Sequence, residues 1–240
     1  MTYLWYYAAI SIKIYQTRHT VYAERKDIIM GICDTISEKV QGGRVKEVVA
    51  LINQALEEGI APDTILTEGL ITGMNIIGQK FKNNEVFVPE ILVAARAMNK
   101  GLQTLKPLLA KEGIEPIGKA VICTVKGDMH DIGKNLVKIM IEGQGIECID
   151  LGVDVEPARV VEAVRESGAQ IVCLSALLTT TMYGQKDVID ALKEAGLRDK
   201  VKVMVGGAPV TQAFADEIGA DCYTLDAASA AQAARKLLGK

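Results

Sequence analysis

Apolar residues recur at three- and four-residue spacing through the first half of the chain and in short unbroken runs through the second. In "RVKEVVALINQALEEG" the residues Val45, Val48, Val49, Ile52 and Leu56 share one helical face. Pro62 suits the first turn of the next helix, where its missing N–H would have no intrahelical partner. That helix carries Leu66, Leu70, Met74, Ile77 and Phe81 along a stripe. Pro89 opens another with Ile91, Ala95, Met98, Leu102 and Leu105, and an earlier helix across "DIIMGICDTISEKVQ" makes four. Short connections between amphipathic helices predict an antiparallel four-helix bundle over 27–112.

A polar, Gly/Pro-bearing link at 113–118 ends that pattern, and 119–240 follows a different rhythm. The β-branched runs "KAVICTV", "IECIDLG", "AQIVCLSA", "KVMVGG" and "DCYTL" alternate with helical stretches at about 134–143, 157–167, 184–195 and 211–218, with one more after Asp226. Apolar strands separated by helices predict a parallel sheet covered on both faces. Five strands with right-handed crossovers give an α/β, flavodoxin-like (Rossmann-like) doubly wound domain.

The first 26 residues depart from both patterns, holding five of the seven tyrosines and the only tryptophan. They are too short and too polar to span a bilayer and lack the layout of a signal peptide. An appended start or a membrane-surface anchor are the readings open for this extension. A net charge of -3 gives no basic excess for nucleic acid. The five cysteines form no C-x-x-C pair, and three lie in apolar runs where cysteine acts as a small hydrophobe. The expectation is a protein of a reducing cytoplasm without disulfides or a zinc or iron–sulfur site.

The chain has two histidines, and one, His130, stands in "VICTVKGDMHDIGKNL", in the loop after the first strand. In open parallel sheets ligands bind at the carboxyl ends of strands, near the point where strand order reverses, and this loop belongs there. A phosphate loop is excluded on count: five residues separate Gly127 from Gly133, and Asn135 follows Lys134 where a Ser or Thr is required. No G-x-G-x-x-G follows a strand, and the third strand ends at Ser175 without the aspartate of a phosphoacceptor. A histidine can bind a metal through one ring nitrogen while a carboxylate, here Asp128, accepts the other N–H. No second histidine or cysteine accompanies it, so a cofactor would have to supply the remaining ligands. Small residues also end strands three and four: Ser175 and Ala176 before Leu177, then Thr179 to Thr181, and Gly206-Gly207. Together they describe a groove kept empty.

This combination resembles the cobalamin-binding domain, whose motif is D-x-H-x-x-G, S-x-L and G-G. Asp128-Met129-His130-Asp131-Ile132-Gly133 is followed after 41 residues by Ser175-Ala176-Leu177, and 28 residues later by Gly206-Gly207. The helical part resembles the cap of methyl-carrying corrinoid proteins, whose last helix begins with F-x-P-E, here Phe87-Val88-Pro89-Glu90. The resemblance implies a cytoplasmic corrinoid protein holding cobalamin with its own lower base displaced. His130 would then be the cobalt ligand, Asp128 would orient it and Ser175 would be a further partner in that proton-linked network. Gly127, Met129 and Asp131 would belong to the same binding loop. Gly133, Leu177, Thr179, Gly206 and Gly207 would line the groove for the nucleotide tail, and Phe87 would stand near the methyl group. It also implies a carrier within a methyltransferase system. Its partners would be a substrate-specific methyltransferase, an acceptor methyltransferase and a reductive activase, with neither nucleic acid nor membrane. The alternatives are a small subunit of a cobalamin-dependent mutase, which lacks the cap, and a cobalamin-binding sensor, which adds a DNA-binding module.

Overall fold

The computed structural model describes residues 31–239; the 1–26 extension lies outside the described residues. Four helices come first. They are α1 at 31–41, α2 at Val45–Glu57, a continuous rod of α3 (Pro62–Thr64), a π-helical segment (Ile65–Ile71) and α4 (Thr72–Lys82), and α5 at Val88–Lys111. Pro62 is the first residue of its helix, as its position requires. Within the rod, the Thr72 hydroxyl donates to the Thr67 carbonyl five residues back, at 3.0 Å. Glycines let this rod lie close on α1: a Cβ at Gly73 would stand 2.9 Å from the Ser37 carbonyl, and one at Gly69 3.0 Å from Ile36 Cγ2. The F-x-P-E stretch is a helix start, with Pro89 in the first turn and the Glu90 carboxylate accepting the Phe87 N–H at 3.1 Å.

Beyond Lys111 the chain builds five parallel strands: β1 (Gly118–Thr124), β2 (Ile146–Asp150), β3 (Ile171–Ser175), β4 (Lys202–Gly206) and β5 (Cys222–Tyr223). Between and after them run α6 (Ile132–Glu142), α7 (Pro157–Ser167), α8 (Gly184–Glu194), α9 (Gln212–Ile218) and α10 (Ala227–Leu237). The strand order is β2-β1-β3-β4-β5, so strands are added to one side of β1 and then to the other, and the order reverses between β1 and β3. Successive β1 residues feed opposite layers, Ala120 and Ile122 on one side and Val121 and Cys123 on the other.

The layer holding Ala120 and Ile122 is continuous with the bundle: Met74 and Ile77 of α4, Met140 and Ile141 of α6 and the α10 alanines share one core. At Gly78 an added Cβ would meet Met140 Cε at 2.7 Å, so this glycine allows α4 to lie directly on α6 and α10. The bundle thus closes over one face of the sheet while α7, α8 and α9 cover the other. All five cysteines are free thiols; burial pushes Cys123 and Cys173 up to about 12.

Candidate functional site

The loop from Val125 to Asp131 leaves the switch point between β1 and β3 and is braced on three sides. Gly127 has a positive φ of 79°, which costs glycine little, and its N–H donates to Asp154 Oδ1 at 2.7 Å. The Asp154 N–H in turn donates to the Asp128 carbonyl at 3.0 Å. The buried Thr124 hydroxyl donates to the His130 carbonyl at 2.8 Å. These bonds fix the backbone on both sides of the histidine.

Asp128 is completely buried behind it. Its Oδ1 lies 2.7 Å from His130 Nδ1 and also accepts the His130 N–H at 3.1 Å. Its Oδ2 accepts the Leu177 N–H at 2.7 Å and the Thr181 hydroxyl at 2.6 Å. Burial alone would raise this carboxyl, but the bonds from Thr181, Leu177 and His130 hold it far below the usual carboxylate range. An ionised Asp128 accepts only, so Nδ1 donates to it, and in the neutral ring the lone pair lies on Nε2. The imidazole is half exposed, and its lone pair is open to a ligand.

Behind the same loop, Lys134 in the first turn of α6 is buried and bonds Asp150 at 2.7 and 2.8 Å. Burial opposes the Asp150 charge, yet Lys134 and the Gly152 N–H keep this carboxyl below its ordinary value.

His130 stands at the mouth of a cavity of about 690 Å³ that runs between the sheet's carboxyl edge, α6 and α10. Its wall is largely apolar, with Ile122, Leu136, Val137 and Met204 deep and Ala227 and Ala230 opposite. Met129, Asp131, Gly133, Ser175, Leu177, Gly206 and Gly207 all lie on the wall. A Cβ on Gly133 would meet nothing within 4 Å, and one on Gly206 only the Thr224 carbonyl at 3.7 Å; both glycines keep space open. Gly207 is different. Its φ is 126°, and a Cβ there would stand 1.8 Å from the Ala176 carbonyl, so this glycine joins the ends of β3 and β4.

Three expected placements change. Ser175 lies on the cavity wall, and the hydroxyl that reaches Asp128 is that of Thr181, because the turn beyond Leu177 folds back over the loop. Thr179 sits on the outside of that turn, exposed and off the wall. Phe87 caps α5 and is 66% exposed; the bundle aromatic on the wall is Phe81, near the end of α4. Spacing within the motif pointed to none of Thr181, Thr124, Asp154 or Phe81. Thr181 was visible only as one of three threonines, and Asp154 as a polar residue in the loop after β2.

A doubly wound sheet with an open apolar cavity at its switch point, one presented imidazole and a helical cover defines a cofactor-binding protein. The B12 binding domain family matches residues 118–235, and a second family of the same description matches 32–106. A dimethylamine corrinoid protein of Methanosarcina acetivorans is 42% identical over 210 residues, 88% of this chain and 98% of that one. A corrinoid protein of Desulfitobacterium hafniense is 42% identical over 89% of this chain and its own full length. The solved methanol:cobalamin methyltransferase complex from Methanosarcina barkeri superposes with a TM-score of 0.79, at 30% identity over 87% of this chain and 80% of that one. The chain therefore belongs to the B12-binding corrinoid proteins, and its cofactor is cobalamin.

The residues fit that group. One imidazole is oriented by a buried carboxylate, and a long apolar recess opens beside it with two glycines leaving its wall bare. Among the described residues no three His, Cys, Asp or Glu side chains gather to hold a metal ion by themselves.

Proposed function

We propose that this chain is a methyl carrier that binds cobalamin base-off, with His130 Nε2 as the lower ligand and the nucleotide tail in the cavity between β3, β4, α6 and α10. The observation that carries this reading is the Asp128–His130 pair: a fully buried carboxylate 2.7 Å from Nδ1, on a histidine that lines the cavity. Bound there, cobalamin supplies a cobalt centre that takes a methyl group from one substrate and yields it to another.

The chain's own residues position and adjust that centre. Asp128 keeps the Nδ1 proton, raises the basicity of Nε2 and aligns the ring. Its charge is stabilised by the Leu177 N–H and the Thr181 hydroxyl, so Asp128 would stay ionised and go on accepting from Nδ1 while the group is held. Gly133 and Gly206 keep the recess free, and Leu177 and Met129 offer exposed apolar area at its mouth. Phe81, on the bundle, closes the far side and excludes water.

In this reading activation of the methyl donor falls to a partner protein. Relatives named for dimethylamine and monomethylamine, and the similarity to a methyltransferase complex, support a methylamine-specific methyltransferase as the first partner. An acceptor methyltransferase takes the methyl group on, and a reductive activase restores oxidised cobalt. The five free thiols suit a cytoplasmic setting. The test is transfer of a radiolabelled methyl group from mono- or dimethylamine to the cobalamin-loaded protein, with a methyltransferase specific for that amine. Label retained on the protein only when both proteins are present supports the carrier; no label from either amine contradicts it.

A further inference from the structure

Gln185, in the first turn of α8, is fully buried in the layer opposite the cavity. Its amide nitrogen donates to the Leu174 carbonyl and to the Gly206 carbonyl, both at 3.0 Å. Two acceptors on one side fix the amide's orientation, since a flip would set its oxygen against two carbonyl oxygens. The oxygen is then left buried, with no hydrogen-bond partner among the described residues. A leucine would pack there without that cost, so the fold alone does not call for a glutamine.

What the glutamine holds is specific. Leu174 and Gly206 lie at the carboxyl ends of β3 and β4, and Leu174, Ser175, Gly206 and Gly207 form the cavity wall on that side. The strand pairing ends there, at Ser175 with Gly206, and the Gly206 carbonyl also receives the Ala176 N–H at 3.2 Å. The approach to α8 is the turn whose Thr181 reaches Asp128, and Gly184 packs on Val125 with only 3.1 Å for a Cβ. One short segment, Thr181 to Gln185, therefore touches the carboxylate behind His130, the root of its loop and the ends of both wall strands.

We propose that Gln185 is a positioning residue for the nucleotide tail: it sets the spacing of the β3 and β4 ends from behind the sheet. This rests on the cobalamin reading above. It acts on the tail's recess and not on the ring, which separates it from a merely structural role.

The experiment compares binding of hydroxocobalamin and of cobinamide, the same corrin ring without its nucleotide tail, to the full chain and to Gln185→Met. The substitution trades two hydrogen bonds for an unburdened apolar fit, so thermal stability of the unloaded protein stays close to that of the parent. Affinity for hydroxocobalamin is expected to fall on the order of tenfold, the size of effect that two lost hydrogen bonds can carry. Affinity for cobinamide is expected to stay unchanged. Gln185→Glu, whose protonated carboxyl can keep one of the two bonds, is expected to fall between and serves if the methionine variant folds poorly. Equal losses for both corrinoids, or no loss for either, would overturn the proposal. A parent protein that binds neither corrinoid overturns the cobalamin reading itself, a result distinct from either of these.

Discussion

At the scale of single residues, the account turns on how Asp128 is held. Its carboxyl lies well below the ordinary range, so its hydrogen bonds contribute their full stability above about pH 4. That contribution is lost as pH falls through its own lower value. Thr181→Val removes the 2.6 Å bond to Oδ2 and should cost about 1 kcal/mol in urea unfolding at pH 7. The carboxyl then rises toward its ordinary value, so the acid limb of a pH–stability curve should begin at the same pH as in the parent, be shallower and level off at a higher pH. An unchanged acid limb would deny Thr181 its part. The two glycines of the G-G pair should separate cleanly. Gly206→Val leaves the fold intact and blocks the recess, lowering cobalamin affinity at least about tenfold. Gly207→Ala should instead destabilise the protein by roughly 1–3 kcal/mol, since its Cβ would collide with the Ala176 carbonyl at a positive φ. Asp128, His130 and the glycines were legible because a motif keeps them at fixed spacing. Thr181 was not, because three successive threonines carry the same chemistry and only the turn after Leu177 decides which faces Asp128. Ser175 was chosen on spacing; its hydroxyl belongs to the cavity wall.

At the scale of elements, periodicity placed α1 to α10 and all five strands, though not the short 3₁₀ turn at Arg198–Lys200, because the apolar positions repeat at the helical period in one half and run unbroken in the other. The strand order followed from the handedness of crossovers, and the position of the loop after β1 followed from the order. Two features had no signature. The π-helical segment looks like ordinary helix by composition, since a single wider turn shifts the apolar stripe too little to notice. The orientation of Phe87 depends on its role as the residue before a helix start, which points it to solvent, whereas Phe81, next to the last residue of its rod, lines the cavity. The seat of α4 on α6 and α10 is testable through Gly78. Gly78→Val places branched carbon where Met140 now lies and should cost about 1–3 kcal/mol by overpacking, read from chemical unfolding. A neutral result would mean the bundle does not sit on the sheet at this point.

At the scale of the whole molecule, one apolar core joins bundle and sheet, so a ligand seated between them stabilises both together. At a cobalamin concentration one hundred times its dissociation constant, the gain is about 2.7 kcal/mol, or roughly 5–10 °C in Tm for a chain of this size. Cobinamide at the same concentration should give a smaller shift, because it leaves the recess empty. No described helix is long and apolar enough to cross a membrane, in keeping with the alternation of faces seen throughout the fold. The central claim is that the sheet, under its helical cap, presents His130 to cobalt. The most direct test is the absorption spectrum of the protein loaded with hydroxocobalamin, recorded beside His130→Ala. The account predicts a histidine-ligated, base-off spectrum in the parent, and in the variant a corrinoid still held by the recess but without that ligand's signature. Identical spectra from the two proteins would contradict it.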